Sequence, residues 1–211
     1  MAKPRWLTRA PVVRARVEVS AVLPAAPRLD LFEALAHALF ERYPRVRVGP
    51  LGYCLTSDAS YEVEVTHAGL SCSRVGAYTG FGPLVGEAIW AWERYADVAS
   101  PSTVSRVAVH YENLFELPAG AEHARLFPQV TGGGGARFAR LCGPGTRAAV
   151  VQRNEEAERG ATTFRFDIDV ERTVELPADS SLIWRALGEL AKIEHRIFFE
   201  SVTDEALAPY V

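Results

Sequence analysis

Thr162-Thr-Phe-Arg-Phe-Asp-Ile-Asp-Val-Glu-Arg172, followed at a short distance by Ser181-Leu-Ile-Trp-Arg-Ala-Leu-Gly-Glu-Leu-Ala-Lys-Ile-Glu-His-Arg-Ile-Phe-Phe-Glu-Ser201, decides the fold class. The first run alternates. Phe164, Phe166, Ile168 and Val170 point one way, and Arg165, Asp167, Asp169 and Glu171 the other, as in a strand with one buried and one wet face. In the second run Ile183, Leu187, Leu190, Ile193 and Ile197 recur at spacings of three and four, which makes one apolar helical stripe. Asp179 or Ser180 is placed to cap it, because an oxygen side chain there accepts from an orphan backbone N–H. The pairing predicts a long helix laid across an antiparallel sheet.

Working outward, Phe138–Cys142 and Arg147–Arg153 read as a hairpin around Gly143-Pro144-Gly145, and a charged loop over 154–160 leads into the strong strand. The stretch from Glu116 to Arg137 has no period, and Gly132–Gly135 predicts a flexible insertion. Further upstream, Val13–Ser20, Tyr61–His67, Leu70–Tyr78 and Val104–Leu114 read as strands. Val46–Cys54 is ambiguous and fits a short edge strand. Two helices stand between these strands. One runs from Leu31 to Tyr43, capped by Asp30 and stopped by Pro44. The other runs from Pro83 to Asp97 and buries Leu84, Ala88, Trp92 and Tyr95. The order strand, helix, strand, strand, helix, strand is that of a ferredoxin-like βαββαβ opening. The expected fold is α+β: a mostly antiparallel sheet, extended by further strands and covered by three helices, in a single domain over 1–211 with an arm at 1–10. Trp6 is expected to pack back from that arm.

Composition narrows the function classes. With 48% apolar and 23% charged residues in 211, the chain can bury one sizeable core. A net charge of −3, with no segment rich in Lys or Arg, offers no field for nucleic acid. No stretch approaches a membrane span, and the basic residues Lys3, Arg5 and Arg9 have no apolar run behind them. Cys54, Cys72 and Cys142 lack metal-ligand spacing and leave one thiol unpaired, which suits a reduced, cytoplasmic location.

At Arg106-Val-Ala-Val-His-Tyr111-Glu-Asn113 the chain resembles a sporadically distributed bacterial family of uncharacterised proteins with an Arg-x-Gly-x-Arg-Tyr-x-Asn strand. That strand follows a helix with an aromatic-Trp-Glu pattern, echoed by Ala91-Trp92-Glu93 and Tyr95. The family's Phe and Ile-Thr-Asp ending is echoed by His195-Arg-Ile-Phe198 and Val202-Thr203-Asp204, and its early Arg-Tyr-Pro segment by Arg42-Tyr43-Pro44. His110 stands where the family has its second Arg, and Ala108 where it has Gly. The resemblance implies an α+β fold in a bacterial cytoplasmic protein and points to Arg106, Tyr111 and Asn113, with no chemistry attached.

Each polar motif has an ordinary structural reading beside it. Asp167 and Asp169 could offer oxygens to a hard cation, but a solvated sheet face interleaved with Arg14, Arg16 and Arg165 explains the same pattern. His110 and Glu112 share one face of their strand while Tyr111 and Asn113 share the other, so the four do not converge. His195 sits near a helix end, where an imidazolium would complement the dipole. Trp90 and Trp92 are about 200° apart around their helix, so one enters the core. The other lies near the surface by Phe81, as an interface anchor or as a cap on the core edge. No catalytic constellation or cofactor motif appears. The leading expectation is a non-catalytic adaptor or accessory subunit with a protein or peptide partner. It would use the binding candidates Trp90, Trp92, Arg106, His110, Tyr111, Asn113 and His195, and it is compatible with a homodimer. The alternatives are a metal-dependent hydrolase or phosphoryl-transfer enzyme using Asp167/Asp169, and a small-ligand-binding module between the sheet and the last helix.

Overall fold

The computed structural model describes residues 7–24, 29–117, 126–127, 136–156 and 162–211. Trp6, the Gly132–Gly135 run and most of the charged loop at 154–160 lie outside the described residues. The fold is α+β, built on one nine-stranded antiparallel sheet. Its strands are β1 (Val12–Val22), β2 (Arg45–Val48), β3 (Gly52–Thr56), β4 (Tyr61–Thr66), β5 (Gly69–Val75), β6 (Thr103–Leu117), β7 (Ala136–Gly143), β8 (Thr146–Glu156) and β9 (Thr162–Leu176). They are ordered β2-β3-β4-β5-β1-β6-β9-β8-β7. Within it, β4-β5-β1-β6 is the expected four-strand opening. The ambiguous segment is a hairpin of two strands, β2 and β3, extending one edge. The second half of the chain extends the other.

The helices are α1 (Leu29–Leu39), α2 (Phe81–Ala99), α3 (Ser180–Ser201) and a single turn, α4 (Asp204–Leu207). α1 starts and stops earlier than its stripe suggests. Asp30 lies in its first turn, while Tyr43 is buried beyond its end. α3 crosses β6 and β9 and leans on α2, which in turn packs on β5, β1 and α1. Asp179 caps α3, accepting from the backbone N–H groups of Ser181 at 2.8 Å and Leu182 at 3.2 Å.

Alternation sorts the sheet into two unlike faces. Val17, Val19, Val63, Val109, Phe164, Phe166, Ile168 and Val170 are fully or almost fully buried beneath the helices. They meet Leu84, Trp92, Ile183, Leu187 and Leu190 in one core. Leu126 and Phe127 join that core, with the Phe127 ring stacked on Phe164 at 3.9 Å between centroids. On the opposite face, oppositely charged side chains pair within and between strands, in two cases reaching past β5 from β1 to β4. Arg14 meets Glu62, Arg16 meets Glu18 and Glu64, Arg106 bridges Glu18 and Glu171, and Arg165 meets Glu112. Most of these pairs are partly solvated, so each adds little stability alone.

Candidate functional site

β6 is long enough to run the width of the core. Its alternation turns Tyr111, Asn113 and Phe115 toward the helices and His110 and Glu112 toward the charged face. Opposite them, the buried side of α3 runs Ile183, Leu187, Leu190, Glu194, Ile197 and Phe198. The carboxyl of Glu194 thus occupies the place expected for Ile193, which is only partly buried. The third wall is the chain between β5 and α2. Gly80, with φ +114, makes the turn into α2 in a conformation few other residues adopt, and Tyr78 precedes it.

These elements enclose a cleft of about 1010 Å³. Tyr78, Phe81, Tyr111, Phe198, Phe199 and Tyr210 supply its aromatic walls, and Asn113, Glu194 and His195 are polar groups within it. The segment from Leu7 to Val13 forms one rim, with Arg9 and Glu116 exposed to solvent there. That rim is tied down: the N–H groups of Thr8 and Arg9 donate to the Tyr210 carbonyl at 2.8 and 3.3 Å. The Tyr210 hydroxyl in turn accepts from the Glu116 N–H at 3.3 Å.

The polar groups are unevenly satisfied. The Tyr78 and Tyr111 hydroxyls share a hydrogen bond of 3.1 Å, their rings meeting edge to face. Burial pushes the Tyr78 hydroxyl up to about 12 and the Tyr111 hydroxyl well above its ordinary value, so both keep their protons at neutral pH. Asn113, 1% exposed, donates through Nδ2 to the Phe166 carbonyl at 2.9 Å, which fixes its amide orientation. Its Oδ1 is buried with no hydrogen-bond partner among the described residues. Glu194, 7% exposed, makes no hydrogen bond or ion pair with another described residue. Burial alone pushes its carboxyl up to about 8, so it is mostly a neutral acid at pH 7. Burial also lowers the His195 imidazole below its ordinary value, and its ring lies against Phe199 at 4.7 Å between centroids.

Of the residues expected to bind, the cleft gathers Tyr111, Asn113 and His195. Arg106 and His110 lie on the charged face. There His110 contacts Asp169 and Glu112; although burial opposes it, these carboxylates hold the imidazole above its usual range. Asp167 pairs with Arg153 at 3.3 Å, and burial raises its carboxyl against the pull of Arg165 and Arg153. Among the described residues no three His, Cys, Asp or Glu side chains converge on a metal position. Trp92 is buried in the core, its indole N–H toward the Ala178 carbonyl at 3.4 Å. Trp90 packs on Tyr43 and lies beneath the guanidiniums of Arg42 and Arg94, 4.2 and 3.6 Å from its ring centre. Among the described residues the exposed indole is that of Trp184 on α3.

Sequence reasoning missed Tyr78 and Glu194 as members of the site. A signal existed for Glu194, which continues the three-and-four spacing of the α3 stripe as a carboxylate among apolar positions. None existed for Tyr78, which lies in a loop. No known protein family matches the chain, and a search of curated proteins finds no match to it. The strand motif at Arg106–Asn113 therefore brings no role from elsewhere, and the chemistry rests on the cleft's own residues.

Proposed function

We propose that the protein is a small-ligand-binding module whose ligand sits between the sheet and α3. The observation that carries this reading is the cleft itself: aromatic walls, a volume suited to a small organic molecule, the buried Asn113 Oδ1 with no partner among the described residues, and the Glu194 carboxyl, which makes no hydrogen bond or ion pair with one. Buried polar atoms are nearly always satisfied in folded proteins, because an unpaired one costs about 1–3 kcal/mol. A bound molecule with matching donors removes that cost.

Support for an accessory subunit is narrower. The tryptophans of α2 are committed within the fold, which leaves Trp184 and Phe40 as the large exposed aromatic side chains among the described residues. For a metal-dependent enzyme at Asp167 and Asp169 the support is weaker, because Arg153 and His110 of the chain itself lie against those two carboxylates.

The test is a ligand-observed NMR screen of small aromatic fragments against the wild type and Ala191→Trp. Ala191 is a small residue of the α3 wall, so an indole there takes up cleft volume while the β6 side chains Tyr111 and Asn113 are left unaltered. Fragments that bind the wild type and lose binding in a folded Ala191→Trp variant support the cleft. Fragments that bind both equally, or none that bind, reject it.

A further inference from the structure

We propose that the ligand of the cleft is an organic cation, an ammonium carried on an apolar or aromatic body, with Glu194 as its counter-ion. This rests on the small-ligand reading of the cleft and adds the ligand's charge and hydrogen-bonding character.

Three observations converge on that class. First, the cleft groups left without a partner among the described residues offer acceptor oxygens. Asn113 Oδ1 has spare lone pairs, and the Glu194 carboxyl becomes acceptor-only once ionised. An ammonium is the complement, with three donors and no acceptor. Second, the walls are aromatic. Tyr78, Phe81, Tyr111, Phe198, Phe199 and Tyr210 present π-faces or edges to the same space, and desolvated cations are held well against such rings. Third, among the described residues no cation reaches Glu194. The titratable groups around it are Tyr78, Tyr111 and the neighbouring His195, with Arg9, Glu116 and Tyr210 at the rim. The tyrosines are protonated, and the His195 imidazole is held below its ordinary value by partial burial. Arg9 is exposed to solvent, where its charge is screened. An arriving ammonium therefore meets one buried, unopposed carboxyl. Without a ligand that carboxyl stays protonated, because an isolated buried charge is costly. With the cation in place, the attraction between them favours ionisation, and the proton leaves to solvent.

Proton release makes the proposal measurable. The probe pair is 2-phenylethylamine, which is protonated throughout pH 6–8, and 2-phenylethanol, its neutral analogue. Calorimetry in buffers of different ionisation enthalpy should show 2-phenylethylamine releasing close to one proton (~0.9) at pH 7, with affinity rising by up to tenfold per pH unit between pH 6 and 8. Glu194→Gln keeps the shape and removes the ionisable proton. It should lower the amine's affinity about tenfold or more and flatten the pH profile. If 2-phenylethanol binds as well as the amine, or Glu194→Gln leaves amine binding unchanged, the cation assignment fails while the cleft stands. If neither probe binds and the Ala191→Trp comparison is also negative, both fail. If neither probe binds while other neutral fragments are blocked by Ala191→Trp, only the cation assignment is overturned.

Discussion

Glu194 carries the most consequence of any single residue. It is a carboxyl on the buried face of a helix, with burial as the only influence on its ionisation. The folded chain holds its proton up to about pH 8, whereas the unfolded chain releases it near 4.5. Between those values the native state binds more protons, so this residue's contribution to stability falls as pH rises. Glu194→Gln should unfold in urea like the wild type near pH 4.5 and be more stable than it at pH 9, by on the order of 4 kcal/mol. Parallel pH profiles for the two proteins would show that water or another group already solvates the carboxyl. The site was half legible in the sequence for a related reason. Period-two alternation correctly separated Tyr111 and Asn113 from His110 and Glu112. On α3, however, Ile193 and Glu194 are neighbours that both fit a three-or-four spacing, and preference for the apolar residue selected the wrong one. Tyr78 was read as the end of a strand from Leu70, but that strand stops at Val75, and only the path of the β5–α2 loop brings Tyr78 to Tyr111.

At the scale of elements, the readable ones are those whose two faces differ. β9 alternates Phe, Phe, Ile and Val with charges, and α3 carries a stripe and a capping Asp179, so both were placed within a few residues. β2 defeats such reading because all four of its residues are exposed; it has no buried face to create a period. The close approach of hairpin to neighbour is equally hidden in a sequence, and Gly69 shows its consequence. It opens β5 with φ +136, and a Cβ there would sit 2.1 Å from the Val19 carbonyl oxygen on β1. That contact involves backbone on both sides and cannot be relieved by a rotamer change. Gly69→Ala should therefore cost at least about 2 kcal/mol in urea unfolding. A loss below half a unit would mean that β1 and β5 are free to separate at this end.

The whole molecule is an asymmetric sandwich: one face of a wide sheet closed by helices, the other finished with paired charges. Opening any part requires separating different amounts of core from the sheet. β5, β1, β6 and β9 lie at the centre of the strand order, paired on both sides and covered by α2 and α3. β2 and β7 are the edge strands, each with a single neighbour. β2 buries none of its side chains, and Leu141 on β7 is among the most exposed hydrophobic residues. Local opening is governed by how much buried apolar contact and how many paired strands must be given up. Amide exchange should consequently be slowest in Val17–Val19, Val107–Val109 and Ile168–Val170, at the limit set by global unfolding. In β2 and β7 it should be faster by at least about a hundredfold, which corresponds to a local opening some 3 kcal/mol easier. The cleft stands at the junction of these regimes, with Tyr111 on a central strand and its rim on the short segment tied to Tyr210. A bound ligand should slow exchange at the Thr8 and Arg9 amides, which donate to Tyr210, while leaving the already limiting β6 amides unchanged. Equal protection of β2 and β1 in the free protein would contradict the assignment of a single core centred on β1, β6 and β9.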